Sequence, residues 1–210
     1  MKILVAAAIA GAALAATAGA APPVTLTLVA SAPTVSYGSA VTLSGQISTK
    51  RANQQVTIQA TECGSTKQAK AASVKTGTNG TFSVPVTPTL GTTYVGNYKN
   101  GTSPNVPITV KPVLALKRVA RGSFSASVTA ARALTGKYLS FQRYKKLKRR
   151  WAQVKRVKLG AAVPGAKKPT IVTSVSFKSK LTRGTRIRVL ITAAQAGPCY
   201  VKATSKSIRA

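Results

Sequence analysis

Apolar and polar side chains alternate with a period of two along most of this sequence. Val41, Leu43 and Ile47 are separated by polar or small residues, and Val56 and Ile58 follow the same rule. A period of two buries every second side chain of a β-strand, whereas an amphipathic helix needs a period of 3.6. The sequence therefore predicts an all-β fold, with tight hairpin turns at the Asn-Gly pairs 79–80 and 100–101.

Two halves of the chain align on each other, which indicates a duplicated module. The matched segments are 41–45 with 124–128, 56–59 with 139–142, 82–87 with 177–182, and 91–94 with 184–187. Each half has about 90 to 100 residues and about seven short strands, which suits an immunoglobulin-like sandwich. Pro112 marks the expected joint. We therefore expect two tandem immunoglobulin-like β-sandwich domains, residues 21–110 and 111–210.

Several short motifs resemble those of known secreted modules. In the first half, residues 37–45, 80–83 and 92–94 are similar to bacterial immunoglobulin-like and fibronectin-III-like repeats. In the second half, residues 136–143 followed by Trp151 resemble a module that accompanies such repeats in exported actinobacterial proteins. The resemblance implies a pair of β-sandwiches with an extracellular, non-catalytic role, and it implies no ligand.

Residues 1–20 have the composition of a secretory signal peptide. Lys2 gives a positive start, residues 3–18 are almost wholly apolar, and residues 18–20 form a small-x-small cleavage site. No later apolar run approaches the roughly 20 residues of a membrane span. We expect a mature protein without a transmembrane segment, secreted into the extracellular space and at most loosely associated with the cell wall.

The charge balance excludes most enzymatic chemistry. The chain has 32 Lys and Arg against one acidic residue, Glu62, and no His, which gives a formal net charge of +31. Paired carboxylates and Ser-His-Asp relays are therefore impossible, as are metal sites built from His, carboxylates or clustered Cys. Composition leaves a Ser-Lys dyad open, but no motif supports one. We predict a non-enzymatic protein that uses no metal, cofactor or small-molecule substrate.

The cations are concentrated in the second half. Residues 21–110 hold six of them beside Glu62, and residues 111–210 hold 25 with no acidic residue. A chain with so little compensating charge is expected to bind a polyanion. The predicted polyanion-binding residues are Arg143, Lys145, Lys146, Lys148, Arg149, Arg150, Lys155, Arg156, Lys158, Arg186 and Arg188.

The densest cationic run, residues 143–158, is predicted to be an extended basic hairpin with its turn at 145–150. Leu139 and Phe141 are expected to face inward, and burial of both Trp151 and Val154 requires a bulge. The aromatic residues interleaved with the cations are predicted to stack on ligand rings. These residues are Tyr138, Tyr144 and Trp151. The alternatives are that the rings belong to the sandwich core or rim and that the cations form a solvated loop.

The two cysteines, Cys63 and Cys199, fall one in each half. An exported chain favours a disulfide over free thiols. In a seven-strand sandwich, Cys63 follows the third strand at the exit pole, and Cys199 lies in the last hairpin at the entry pole. Both therefore face the joint, and we expect a bridge between the halves. Unpaired cysteines and a bridge to a second molecule are the alternatives.

The leading functional hypothesis is electrostatic attachment to an anionic cell-envelope polymer, such as teichoic acid or an acidic polysaccharide. Extracellular nucleic acid is a second candidate partner, bound through its phosphates. Perturbation of anionic membranes by the basic hairpin, and a passive spacer or adhesion role, are further hypotheses. The topology that pairs the cysteines places the turn 145–150 at the opposite pole, so a rod with a cationic tip is expected. The sequence predicts no oligomeric state.

Overall fold

The structure is a computed structural model that describes residues 24–210, so the predicted signal peptide lies outside the described residues. Within that range the chain forms 18 β-strands, a 3-10 turn at Thr78–Gly80 and a short helix α1 at Ala193–Ala196. The all-β prediction is confirmed. In this part of the chain, no helix is long and apolar enough to cross a membrane.

Strands before Pro112 form two sheets. These strands are β1 Val29–Ala30, β2 Thr34–Ser36, β3 Val41–Gln46, β4 Gln55–Glu62, β5 Ala69–Lys75, β6 Thr81–Val86, β7 Thr92–Tyr98, β8 Gly101–Thr102 and β9 Val106–Lys111. One sheet has the order β1-β3-β6, and the other has the order β2-β9-β7-β4-β5 with β8 beside β7. The β2–β9 pair is parallel.

Strands after Pro112 form two further sheets. These strands are β10 Val113–Ala120, β11 Ser123–Ala130, β12 Tyr138–Lys145, β13 Arg150–Lys158, β14 Ala162–Pro164, β15 Ile171–Lys178, β16 Arg186–Ile191, β17 Ala203–Thr204 and β18 Ile208–Arg209. Their orders are β10-β11-β15-β14 and β13-β12-β16-β17, with β18 also beside β16.

The strand orders are those of an immunoglobulin-like sandwich. In that fold the first, second, fifth and fourth strands share one sheet, and the third, sixth and seventh share the other. The order β10-β11-β15-β14 reproduces the first sheet, and β12-β16-β17 reproduces the second, with β13 as an added edge strand. In the first half, β1-β3-β6 and β4-β7-β9 correspond in the same way. The predicted immunoglobulin-like arrangement is confirmed, whereas separate domains stay a prediction.

Three phenylalanine rings join the two sheets of the second half. Phe124 and Phe177 come from β11 and β15, and Phe141 comes from β12 in the facing sheet. The ring centroids of Phe124 and Phe141 are 5.4 Å apart, and those of Phe141 and Phe177 are 4.9 Å apart. Leu139 and Phe141 are fully buried. Their predicted inward orientation is confirmed.

The β12–β13 hairpin carries a bulge at Val154. Phe141 pairs with Lys155 and Gln142 pairs with Gln153, so Val154 has no partner residue. The bulge was expected to bury the side chains of both Trp151 and Val154. It buries neither fully, because Val154 is exposed and Trp151 is only half-buried. The hairpin itself is confirmed, with the turn at 146–149 one residue shorter at each end than predicted.

Only one of the two Asn-Gly pairs forms a hairpin. Tyr98 pairs with Gly101, so Lys99 and Asn100 are the two loop residues of a tight β7–β8 hairpin. The prediction at 79–80 is wrong, because that turn links β5 to β6 in different sheets. Asn79 has a φ of 58°. Asn tolerates this left-handed conformation in many kinds of turn, so the Asn-Gly signal does not specify pairing of the flanking strands.

The predicted match of 82–87 with 177–182 is wrong by four residues. Val41 and Phe124 are equivalent in the alignment, and their partners in the next strand are Val86 and Phe177. Phe177 is therefore the counterpart of Val86, not of Phe82. A two-residue pattern is unchanged by a slip of four, so alternation alone does not fix the register.

A disulfide joins the two halves. Cys63 and Cys199 are 136 residues apart in sequence and are bonded to each other, which confirms the predicted bridge. The Gly91 N–H donates to the Cys199 carbonyl, and the Val201 N–H donates to the Val110 carbonyl, both at 3.0 Å. Covalent and backbone bonds together therefore connect the halves at this joint.

Candidate functional site

Three connections of the second half meet at one pole, opposite the joint. They are the turn 121–122, the turn 146–149 and the loop 179–185. The Ser179 N–H donates to the Gly122 carbonyl at 2.8 Å, so the first connection adjoins the third. Arg143 near the end of β12 pairs with Ile187 near the start of β16, so the second adjoins the third as well. We call this end the distal pole.

Neighbouring cavities of about 210, 230 and 480 Å³ form a continuous band across the distal pole. Arg183 lines the first and second cavities, while Tyr144, Lys146 and Thr185 line the second and third. Eight cations line the three cavities, and we call them the distal band. They are Arg118, Arg121, Arg143, Lys145, Lys146, Lys148, Arg183 and Arg186. Glu62, the one acidic residue of the chain, ends β4 in the other half.

Arginine side chains cover aromatic rings beside the band. Tyr144 and Trp151 are directly opposite on β12 and β13, and their ring centroids are 5.4 Å apart. The Arg186 guanidinium lies 5.5 Å from the Tyr144 centroid and 6.0 Å from that of Trp151. The Arg188 guanidinium lies 4.2 Å from the Trp151 centroid, and its Nε donates to Gln142 Oε1 at 2.9 Å. The rings therefore hold guanidinium groups on the outer face of the sheet, opposite the Phe141 core.

The third predicted stacking residue, Tyr138, lies at the joint end of β12. The Arg156 guanidinium is 4.5 Å from its ring centroid. None of Tyr138, Tyr144 and Trp151 belongs to the buried core. An arginine guanidinium of the same chain lies over each of these three rings, so the rings position cations. Stacking of a ligand on the rings stays a prediction.

The structure brings together seven of the predicted polyanion-binding residues. Arg143, Lys145, Lys146, Lys148 and Arg186 line the distal band. Two more belong to the same hairpin end. Arg149 closes the turn with its N–H donating to the Lys146 carbonyl at 3.1 Å, and Arg150 pairs with Lys145.

The other four predicted residues lie elsewhere. Arg188, Arg156 and Lys158 are on the outer face, nearer the joint. Lys155 lies on the Phe141 face, where its Nζ donates to the Lys178 carbonyl at 2.7 Å and lies 5.2 Å from the Phe177 centroid. Lys155 therefore covers the edge of the core.

Sequence reasoning missed three members of the distal band. Arg118, Arg121 and Arg183 lie far from the dense run 143–158 in sequence, and none adjoins an aromatic residue. The one signal available was topological. In an immunoglobulin-like sandwich, the connection between the first two strands and the one after the fifth strand reach the same pole as the turn after the third.

Burial affects one arginine of the outer face. It lowers the pKa of the Arg188 guanidinium from its ordinary value, because desolvation disfavours the charged form. An anion bound beside Arg188 would counter that effect.

Comparison with known proteins gives no family assignment, since no family model and no curated protein matches the chain. Among solved structures, the chain is similar to a tetra-tandem repeat in the extending region of a large adhesion protein. The identity is 13%, the TM-score is 0.34, and the alignment covers 90% of this chain and 49% of that one. It is also similar to a marsupial T cell receptor, with 11% identity, a TM-score of 0.31, and coverage of 87% and 100%. The chain thus spans about half the length of the adhesion-protein structure.

Proposed function

We propose that this protein is exported and non-enzymatic, and that its distal pole attaches it to an anionic polymer of the cell envelope. The two halves act as two immunoglobulin-like domains in a rod whose orientation is fixed at the Cys63–Cys199 joint. The partner is a polymer with closely spaced phosphates or carboxylates, such as teichoic acid or an acidic polysaccharide.

The continuity of the distal band is the observation that supports this proposal. Its eight cations come from three separate connections and the strand ends beside them, and they line cavities that share residues. A linear polyanion can therefore contact them in succession. Five of the eight are arginines, which bind phosphate or carboxylate groups in a bidentate manner. Bringing these like charges together costs folding free energy, which a bound polyanion would offset.

Salt dependence tests the proposal. If about six cations each neutralise one phosphate, the logarithm of the binding constant falls with the logarithm of salt concentration with a slope near −5. Titration of purified protein with teichoic acid at 50 and 200 mM salt should then show about a thousandfold loss of affinity. An affinity that is independent of salt would contradict electrostatic attachment.

Competition distinguishes the envelope polymer from nucleic acid. Base stacking needs accessible ring faces, and arginines cover one face of Tyr144 and Trp151. This cover favours a partner without bases. Teichoic acid should therefore displace single-stranded DNA of equal phosphate content. Stronger binding of the DNA would favour the nucleic-acid hypothesis.

A further inference from the structure

A groove at the joint is distinct from the distal band. Its volume is about 720 Å³, and both halves line it. Thr34 and Ser36 come from the first half, Lys111 ends β9, and the remaining lining residues follow Lys111 in the chain. Ligand sites in proteins have volumes of about 300 to 1,000 Å³ and occur preferentially where domains meet.

The groove combines two kinds of wall. Four cations line it, and so do several apolar side chains. The cations are Lys111, Arg188, Lys202 and Lys206. Val113, Leu114, Leu190 and Val201 are apolar, and Val113 is 41% exposed. Glu62 does not line the groove, so the cations there have no acidic side chain as a partner. Such a surface is complementary to a molecule that has both an anionic group and an apolar body.

The walls of the groove are held in place. Tyr200, adjacent to Val201, accepts a hydrogen bond from the Ala131 N–H at 2.8 Å and donates to the Thr89 carbonyl at 3.1 Å. The Val201 N–H bonds to the Val110 carbonyl of the other half. The Trp151 ring and Gln142 fix the Arg188 guanidinium. A site whose walls are fixed before binding loses less entropy when a ligand binds.

We propose that this groove binds a small amphipathic anion. Arg188, Lys202 and Lys206 hold its phosphate or carboxylate group, and Val113, Leu190 and Val201 contact its apolar body. The ligand is held without being transformed. This site does not depend on the polymer attachment proposed for the distal pole.

Titration calorimetry of the full chain with hexyl phosphate, below its micelle concentration, tests the groove. Inorganic phosphate, hexanoate and hexanol are the comparison probes. We expect one equivalent of hexyl phosphate to bind at least tenfold more tightly than inorganic phosphate or hexanol. Comparison with hexanoate shows whether phosphate or carboxylate is the preferred group. Binding of many equivalents, or affinity no higher than that of inorganic phosphate, would overturn the proposal.

Paired substitutions locate the bound probe. Lys202→Gln with Lys206→Gln should weaken hexyl phosphate at least tenfold and leave teichoic acid binding within twofold. Lys117→Gln with Lys137→Gln removes the same charge from exposed positions outside the groove and should leave hexyl phosphate binding unchanged. Equal losses of hexyl phosphate affinity in the two double variants would mean that net charge, and not the groove, holds the probe. Failure of hexyl phosphate to bind while teichoic acid still binds would overturn this inference alone.

Discussion

The guanidinium of Arg188 lies 4.2 Å from the centroid of the Trp151 ring, and its Nε donates to Gln142. Arg186 approaches the same ring at 6.0 Å. A surface cation–π contact contributes about 0.5 to 1 kcal/mol. In many proteins, carboxylates hold arginine side chains in place through ion pairs. In this chain, which has one acidic residue, aromatic rings hold Arg186 and Arg188 instead.

Replacing Trp151 tests whether the ring positions cations for binding. Trp151→Ala should weaken teichoic acid binding by about two- to fivefold, because it removes contacts worth about 0.5 to 1 kcal/mol. Trp151→Phe keeps an aromatic face and should lose less teichoic acid affinity than Trp151→Ala. Isothermal titration measures both variants. Identical affinities for the wild type and the Ala variant would show that the ring has no such role.

The phenylalanine cluster should dominate the stability of the second half. Phe141 is fully buried between Phe124 and Phe177. Phe141→Ala should lower the free energy of unfolding by about 3 to 5 kcal/mol, because it removes apolar contacts and leaves a cavity. Leu147 at the turn of the basic hairpin is 101% exposed. Leu147→Ala should therefore change the free energy of unfolding by less than about 0.5 kcal/mol. Urea unfolding measures the free energy of unfolding of the two variants. Similar losses in both would contradict a dominant role of the phenylalanine cluster.

Reduction of the disulfide should destabilise the folded chain. In the chain-entropy model, a bridge that closes so long a loop contributes up to about 5 kcal/mol, and measured contributions are commonly smaller. Reducing agent should lower the urea midpoint of the wild type and leave that of a Cys63→Ser, Cys199→Ser double variant unchanged. Peptide mapping without reductant should recover the two cysteine peptides joined. Two thiols open to alkylation in the native protein would exclude the bridge.

Stability should fall at alkaline pH through Tyr94. Burial, reinforced by the nearby negative charge of Glu62, raises the pKa of the Tyr94 phenol to about 12. The unfolded chain ionises Tyr near pH 10, so the stabilisation is complete below pH 10 and is lost as the pH rises towards 12. Between pH 9 and 11 the wild type should lose about 1 kcal/mol more than Tyr94→Phe. Equal pH dependence of unfolding for the two proteins would refute the shift.

Much of the fold was predictable because alternation directly encodes burial. The inward Leu139 and Phe141, the basic hairpin and the bridge between Cys63 and Cys199 all followed from period-two patterns and strand counting. The register of Phe177 did not, since a slip by an even number of residues preserves the pattern. The register between β11 and β15, two neighbouring strands of one sheet, is decided by tertiary packing, which a single sequence does not display.

The candidate site was predictable only in part. The dense run identified Lys145, Lys146 and Lys148, which lie together because they are neighbours in sequence. Arg118 and Arg183 join them only after the sheets close, so no local signal marks them. Lys155 looked equivalent to its neighbours in sequence, but strand parity and the bulge at Val154 turn it onto the core face.

A charge-matched comparison tests the central claim most directly. One variant replaces four cations of the distal band with glutamine: Arg118, Arg121, Lys146 and Arg183. The control replaces four exposed cations of the first half: Arg51, Lys67, Lys70 and Lys75. Both variants lose the same net charge, and teichoic acid affinity is measured for each at one salt concentration. We predict at least a tenfold greater loss for the distal variant, and equal losses would show that total charge alone governs binding.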